Sequence, residues 1–391
     1  MPSEMSFRLS SAVLEWARTS MGYTIEQAAK KAGVTEERFQ SWESGDKRPT
    51  YKQLETLAER VFKRPLALLL LTTPPAEDSI QKDFRNLSNA EITHLSTELR
   101  LALRKAKRYQ LILDEVVPTD DEKRFALFNV SLDDGPSVAA MKFREFLKFP
   151  LTEQKSWNFE KAFNNFKSKV EEIGIYIFAI KIPLQEARAF CLTGKYPIIV
   201  LNTEDSTNGR IFSLFHEACH IFFNTNSVFR DKNTGELTKE YADIETFCNQ
   251  FAASFLVPDE DFATEVQHII AKGSISENDI VRLARTYNVS NEVIARKLLN
   301  RRLISEDTFW TKKRLWDSLA RASKEREREK MKEQEVKGIA QDKRIVSEKG
   351  KPYVTKVISA YQRGVISSSD LSNYLETKLD HLPKIIDRIR S

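Results

Sequence analysis

Apolar positions recur at helical spacing along most of the chain, and only short runs of β-branched and aromatic residues break that period. Near the N-terminus, Ile25, Ala28, Ala29 and Ala32 line one face of a predicted helix. Thr24 suits its N-cap, and Gly33 suits its end as a residue tolerant of positive φ. Thr35 caps the next helix, which turns Phe39 and Trp42 inward. After the turn "SGDKRPT", Leu54, Leu57 and Ala58 mark a further helix. The segment "TTPPAEDSIQKDFRN" (72–86) has the Pro and polar content of a linker. From Asn89 to about Val117, leucines alternate with basic residues in a long helical pattern. Arg100, Arg104, Lys105, Lys107 and Arg108 in it are expected on a solvated face.

The pattern changes between about Ser137 and Ile304. "SVAAMKFREFLKF" and "WNFEKAFNNFKSKVEEIG" keep helical spacing, the second stopping at Gly174. "IYIFAIKI" and "YPIIVLN" are strand-like, and "ARAFCLTG" between them is a candidate third strand. Helical segments follow: "FSLFHEACHIFFN", "EYADIETFCNQFAASFLVP" up to Pro258, and "SENDIVRLARTYNVSNEVIARKLLN". Helices, then a small sheet, then helices predict a mainly α chain of α+β class rather than a doubly wound one. Residues 310–350 are dense in charge and predict an exposed helix, and the last forty residues regain apolar spacing as a small helical module. The expected divisions are 1–72, 73–135 (linker and long helix), 136–305 and 306–391.

Composition narrows the class. The 391 residues are 41% hydrophobic and 30% charged, with a net charge of +5. That suits a multidomain soluble protein and permits nucleic-acid contact without demanding it. No apolar run approaches the roughly 18 residues of a membrane span, and the N-terminus lacks a signal-peptide core. Three cysteines, Cys191, Cys219 and Cys248, are too few and too scattered for a disulfide framework. A cytoplasmic protein with reduced thiols and no membrane partner is expected.

Candidate chemistry concentrates in "FSLFHEACHIFFN" (Phe212–Asn224), where titratable groups interrupt an otherwise apolar helix. His216 and His220 are four apart and share a helix face, so both imidazoles can reach one ion at Zn–N distances of about 2.0–2.1 Å. Glu217 lies about 100° further round the helix, able to meet a water at the ion without ligating the ion. Two His ligands with a Glu base form the HExxH pattern of metal-assisted hydrolysis. With five His in the chain, this pattern should arise by accident in well under about one chain in a hundred. The bland alternative is a pair of satisfied core histidines.

A catalytic zinc site needs a third protein ligand. "DIETFCNQFAASFLVP" offers Glu245, in a stripe with Asn249, Ala252 and Leu256 beside the apolar stripe Ile244, Phe247, Phe251 and Phe255. A carboxylate flanked by such bulk is costly unless paired or bound to metal. Asp243 is the runner-up, and a plain surface role for Glu245 stays open. Tyr241 and Arg210 are candidates for steadying an oxyanion, with structural roles as the alternative.

"RIFSLFHEACHIFFN" and "IETFCNQFAASFLVP", with "GIYIFAI" and "YPIIVLNTEDSTNGR" upstream, resemble the ImmA/IrrE family of metallopeptidases over about residues 140–265. "DFRNL" and "AYQRGVISSSDLSNYL" are also similar to it. The resemblance implies a zincin-like domain with Zn²⁺ on His216, His220 and Glu245, and with Glu217 as catalytic base. Cys248 departs from the family's E-x-x-A-N-x-F-A pattern, and Cys219 sits inside the helix; both are expected to pack as core residues. The implied activity is limited cleavage of a cognate helix-turn-helix repressor or antitoxin, which derepresses genes in a stress response, mobile element or phage defence. A regulator with a structural or sensing metal site, or an antitoxin-like binding protein, is the alternative.

Val13 to Phe62, with "WESGDKRPT", resembles the XRE (Cro/C1-type) helix-turn-helix domain. That resemblance puts Arg38, Gln40 and Ser41 on a helix that enters the DNA major groove. Residues 1–72 hold eleven Lys/Arg against nine Asp/Glu, and Glu36 and Glu37 would face phosphates. DNA binding and docking onto another protein therefore both stay open for this domain, as does a homodimer for the whole chain. The C-terminal module and the basic helix around Arg104 are candidates for regulation.

Overall fold

The computed structural model describes residues 9–75, 95–118, 124–229, 239–271, 273–333 and 340–390. The "DFRNL" segment, most of the 72–86 linker and the start of the helix expected from Asn89 lie outside them. The chain divides into two compact units, 1–105 and 106–391. Among the described residues, no helix is long and apolar enough to cross a membrane.

In the first unit, α1 (Ser11–Ser20), α2 (Ile25–Ala32), α3 (Glu36–Glu43) and α4 (Tyr51–Thr56) are followed by a π-helical turn (Leu57–Phe62) and by α5 (Leu66–Leu69). The predicted caps form as local chemistry dictates. Thr24 accepts from the Gln27 amide while the Gln27 side chain accepts from the Thr24 amide, a reciprocal capping box. Gly33 ends α2 at φ 70°, where a Cβ would be strained. Leu14, Ala17, Phe39, Trp42, Leu54, Leu57 and Phe62 close the core. The long helix α6 (Thr97–Val116) begins in this unit, and Leu101 packs on the same core. Arg104 does not sit on a solvated face as expected. Its guanidinium donates to the Phe62 and Lys63 carbonyls, the latter at 2.7 Å, and so places a cation on carbonyls left open at the end of a helical turn.

The second unit continues with α7 (Pro136–Phe146), α8 (Leu151–Lys155) and α9 (Phe159–Glu172). Strands β1 (Tyr176–Ile180), β2 (Ala189–Leu192) and β3 (Ile198–Asn202) precede α10 (Thr207–Phe222). Then come β4 (Ser227–Phe229), α11 (Lys239–Leu256), α12 (Asp259–Ile270), α13 (Glu277–Tyr287) and α14 (Asn291–Asn300). The chain ends with α15 (Glu306–Glu333), α16 (Gln341–Lys349), α17 (Lys351–Gln362), α18 (Ser368–Leu375) and α19 (Leu382–Arg390). The mainly α, α+β class is therefore as expected, and all three expected strands are present. A fourth strand, β4, was not anticipated, because a three-residue "SVF" carries no usable period.

The sheet order is β1-β3-β2-β4, with β1 parallel to β3 and the other two pairings antiparallel. Ile177, Ala189, Cys191, Ile199 and Leu201 face the main core with Ile211, Leu214 and Phe215 of α10. Phe178 points the other way, where Tyr109 of α6 stacks on it at 4.1 Å and Tyr353 of α17 meets it edge-on at 5.1 Å. Burial of both faces explains why these strands read as continuous apolar runs rather than alternating ones.

The helices covering that second face overturn part of the charged-helix expectation. Residues 306–333 are one long helix, but Asp342, Ile345 and Lys349 of α16 are buried. Lys349 donates to the Tyr109 hydroxyl at 2.9 Å and pairs with Glu376 at 3.1 Å. A stripe of three positions per two turns is enough to dock a helix, and dense charge on its other faces hid that stripe. The C-terminal module thus completes the layer over the sheet.

One carboxyl in this layer makes stability depend on pH. Glu171 of α9 is half-buried, its Oε1 is shut off from solvent without a hydrogen-bond partner, and Lys167 lies 3.7 Å away. Burial pushes its pKa from 4.5 up to about 7. The folded protein therefore holds this proton more tightly than the unfolded chain does, so the group costs stability as pH rises from about 4.5 to 7, and the cost stays constant above that. A shift of this size corresponds to up to about 3 kcal/mol. Glu171→Gln should raise stability at pH 8 by roughly 1–3 kcal/mol and leave it nearly unchanged at pH 4.5. Denaturant unfolding of both proteins at the two pH values measures this, and an equal effect at both would contradict it.

Candidate metal centre

The HExxH helix is placed by a short, polar entry. Asn202, at the end of β3, is fully buried. Its amide donates to the Ile182 and Ala187 carbonyls, and its oxygen accepts from the Ile182 and Glu204 amides. Asp205 accepts two bonds from Arg188 at 2.9 and 3.0 Å and one from the Ser206 amide. Ser206 then caps α10 by accepting from the Gly209 amide. A Cβ on Gly209 would lie 2.5 Å from the Asp205 carboxylate, which Arg188 holds in place, so the helix starts with glycine here.

From Ser213 to Ile221 every residue of α10 is buried. The helix is clamped on α11 by aromatic packing, with Phe215 stacked on Phe255 at 3.9 Å. That clamp brings Glu245, near the start of α11, to the two histidines. His216 Nε2 and His220 Nε2 are 3.1 Å apart. Glu245 Oε2 lies 3.5 Å from His216 Nε2, and Oε1 lies 3.4 Å from His220 Nε2. One ligand atom from each of the three residues falls within 4.8 Å of the others. Among the described residues, no fourth His, Cys, Asp or Glu joins the cluster. Burial pushes the Glu245 carboxyl up, but the two imidazoles more than offset this and hold it well below the ordinary range. It is therefore a committed carboxylate, the state a metal ligand needs.

Glu217 is fully buried beside this cluster. Its Oε2 accepts a hydrogen bond from the Ser227 hydroxyl, while its Oε1 has no hydrogen-bond partner. Burial raises its pKa, opposed by the neighbouring imidazoles. A carboxyl of raised pKa with one oxygen held and the other unengaged is suited to taking up and releasing a proton.

The other expectations divide. Asp243 is exposed and outside the cluster, because it is two residues before Glu245 on a helix and so points elsewhere. Cys219 and Cys248 are buried free thiols outside the converging donor set, and Cys248 hydrogen-bonds both the His220 ring and Cys219. Burial pushes the Cys248 thiol well up, so it packs as a neutral core residue. Arg210 lies over the Phe163 ring at 4.6 Å and donates to Thr207, tying α10 to α9. Tyr241 is half-buried one turn before Glu245, on the same face of α11. Thr225 and Ser227 were not anticipated. Both follow the end of α10 in sequence, and no spacing rule marks them.

In the first unit, Arg38 and Gln40 are exposed on α3 and Ser41 is half-buried. The Ser41 hydroxyl donates to the Arg38 carbonyl, and the Arg38 guanidinium lies 5.9 Å over the Trp42 ring. Glu36 and Glu37 are exposed at the front of the helix. Hydrogen bonds from its own backbone amide and from Thr35 hold the Glu37 carboxyl below its usual range.

The fold and the cluster together describe a chain with a helix-turn-helix unit and a buried His–His–Glu donor set. Family comparison agrees: residues 170–299 match the Peptidase M78 model, the IrrE N-terminal-like domain, and residues 14–67 match a helix-turn-helix model. The chain thus joins a helix-turn-helix module to an ImmA/IrrE-type peptidase domain, a family of metallopeptidases. A comparison with curated proteins gives no significant match.

Proposed function

We propose that this protein is a zinc-dependent limited endopeptidase whose substrate is a helix-turn-helix repressor or antitoxin. The observation that carries the proposal is the buried convergence of His216, His220 and Glu245 beside Glu217. Two imidazole nitrogens and a carboxylate are the donor set of catalytic zinc, and the lack of a fourth donor among the described residues suits an open site rather than a closed structural one. His216, His220 and Glu245 would hold Zn²⁺, which supplies Lewis acidity and lowers the pKa of water.

The chain's own residues do the rest. Glu217 takes a proton from the attacking water at Oε1, the oxygen without a partner. Its burial disfavours the charged form, so the proton gained is kept until it passes to the leaving amine. The core around α10 keeps bulk water from Glu217, which strengthens both transfers.

The helix-turn-helix unit supports the choice of substrate. A module of this type can bring the peptidase to the operator its substrate occupies, or stand in for a substrate's dimer partner. Arg38, Gln40 and Ser41 would serve the first role. The near-neutral charge and the acidic front of α3 favour the second, because a duplex groove repels Glu36 and Glu37.

Incubating the purified chain with Zn²⁺ and a candidate helix-turn-helix repressor from the same genome should produce one or a few discrete fragments. A chelator should stop this, and added Zn²⁺ should restore it. Cleavage that persists after complete metal removal, or no zinc binding at all, would refute the peptidase assignment.

A further inference from the structure

The turn that follows α10 touches both functional side chains of the helix. Thr225 and Ser227 are two apart where the chain enters β4, so their side chains face the same side of an extended segment. That side is α10. The turn is held by Asn224 at φ 53°, by the Thr225 amide on the His220 carbonyl at 2.9 Å, and by Asn226, whose side chain accepts from the Thr193 amide and hydroxyl.

At His220 the turn hydroxyl favours one tautomer. The Thr225 hydroxyl is placed to donate its only hydrogen to the His220 carbonyl at 3.2 Å. The same oxygen lies 3.1 Å from His220 Nδ1, where it can accept from the tautomer that carries its hydrogen on Nδ1. Nε2 then presents its lone pair toward His216 and Glu245. At Glu217, the Ser227 hydroxyl donates to Oε2, and Cys191 Sγ of β2 supports that hydroxyl at 3.4 Å. Ser227 is itself buried. One carboxylate oxygen is thus occupied by the turn and the other is left for chemistry.

We propose that Thr225 and Ser227 are positioning residues: Thr225 fixes the His220 ring with Nε2 toward the metal, and Ser227 fixes the Glu217 carboxyl with Oε1 toward the substrate water. This rests on the metallopeptidase assignment above, and the two fail differently in experiment. Neither residue touches the ion or the substrate, so each acts through its partner, as outer-shell groups do in metal sites.

The test uses the full chain stripped of metal and titrated with Zn²⁺ against a competing chelator, and separately with Co²⁺ followed by its absorption spectrum. Thr225→Val keeps the shape and removes the hydroxyl, and should weaken Zn²⁺ binding by about 10–100-fold and shift the Co²⁺ bands. Thr225→Ser should restore affinity to within about threefold, which a packing role for the methyl group would not do. Ser227→Ala should bind Zn²⁺ like the wild type yet lower kcat by about 10–100-fold with little change in KM, the loss expected for a hydrogen bond to a charged group. Thr225→Val binding zinc as tightly as the wild type would overturn the role of Thr225. An unchanged kcat in Ser227→Ala would overturn that of Ser227. A wild-type chain that binds no zinc would overturn the metallopeptidase assignment, and this inference with it.

Discussion

Glu217→Gln should bind one Zn²⁺ per chain as the wild type does and cleave its protein substrate about 10²–10⁴ times more slowly, the range spanned by general acid–base catalysis. The amide keeps the size of the carboxyl and can still meet the Ser227 hydroxyl, so packing around a fully buried position is preserved. What it loses is the ability to take a proton at Oε1. Because Glu217 is not among the three converging donors, the ion should be retained. The two measurements therefore separate base chemistry from metal binding. A Glu217→Gln protein that cleaves at the wild-type rate would remove Glu217 from the mechanism, while one that loses zinc would make it a ligand instead.

The second large effect is expected at Glu245. A four-ligand structural zinc site is worth about 10–16 kcal/mol, or roughly 3 kcal/mol per ligand, so loss of one ligand costs about two orders of magnitude in affinity. Glu245→Gln should thus weaken Zn²⁺ binding by about 10²-fold or more and abolish cleavage at ordinary zinc concentrations. The carboxylate also faces both imidazoles, at 3.4 and 3.5 Å, as the acidic partner of each. Its removal takes away a buried carboxylate that would ligate the cation. Competition titration with a chelator reads the affinity directly. Undiminished affinity would mean that Glu245 is an ion-pair partner and not a ligand. Asp243→Asn, at the exposed neighbour, should leave the affinity unchanged.

Much of this centre was legible in the chain because α-helical period is a local property. His216 and His220 share a face by spacing alone, and the bulk around Glu245 marks it as a costly carboxylate. The caps at Thr24, Gly33 and Thr35 were legible for the same reason, since each satisfies backbone groups within three residues. Contacts made across the fold left no such mark. Arg104 reads as one more solvated cation until the Phe62 and Lys63 carbonyls arrive beside it. α16 reads as part of a charged run until Ile345 and Lys349 find the face made by Tyr109 and Phe178. β4 is three residues long and exists only because β2 offers it an edge to pair with.

The sequence by itself determined the helix-turn-helix unit, the α+β order and the HExxH helix, and it only put Glu245 ahead of Asp243 as the acidic candidate, because each depends on spacing within one element. Tertiary structure alone decided that Glu245, not Asp243, reaches the imidazoles, that Arg210 is spent on Phe163, and that Thr225 and Ser227 hold the centre's side chains in place. Those outcomes depend on how α10, α11 and the turn into β4 pack together. Packing joins residues far apart in the chain through shape and burial, which no local period records.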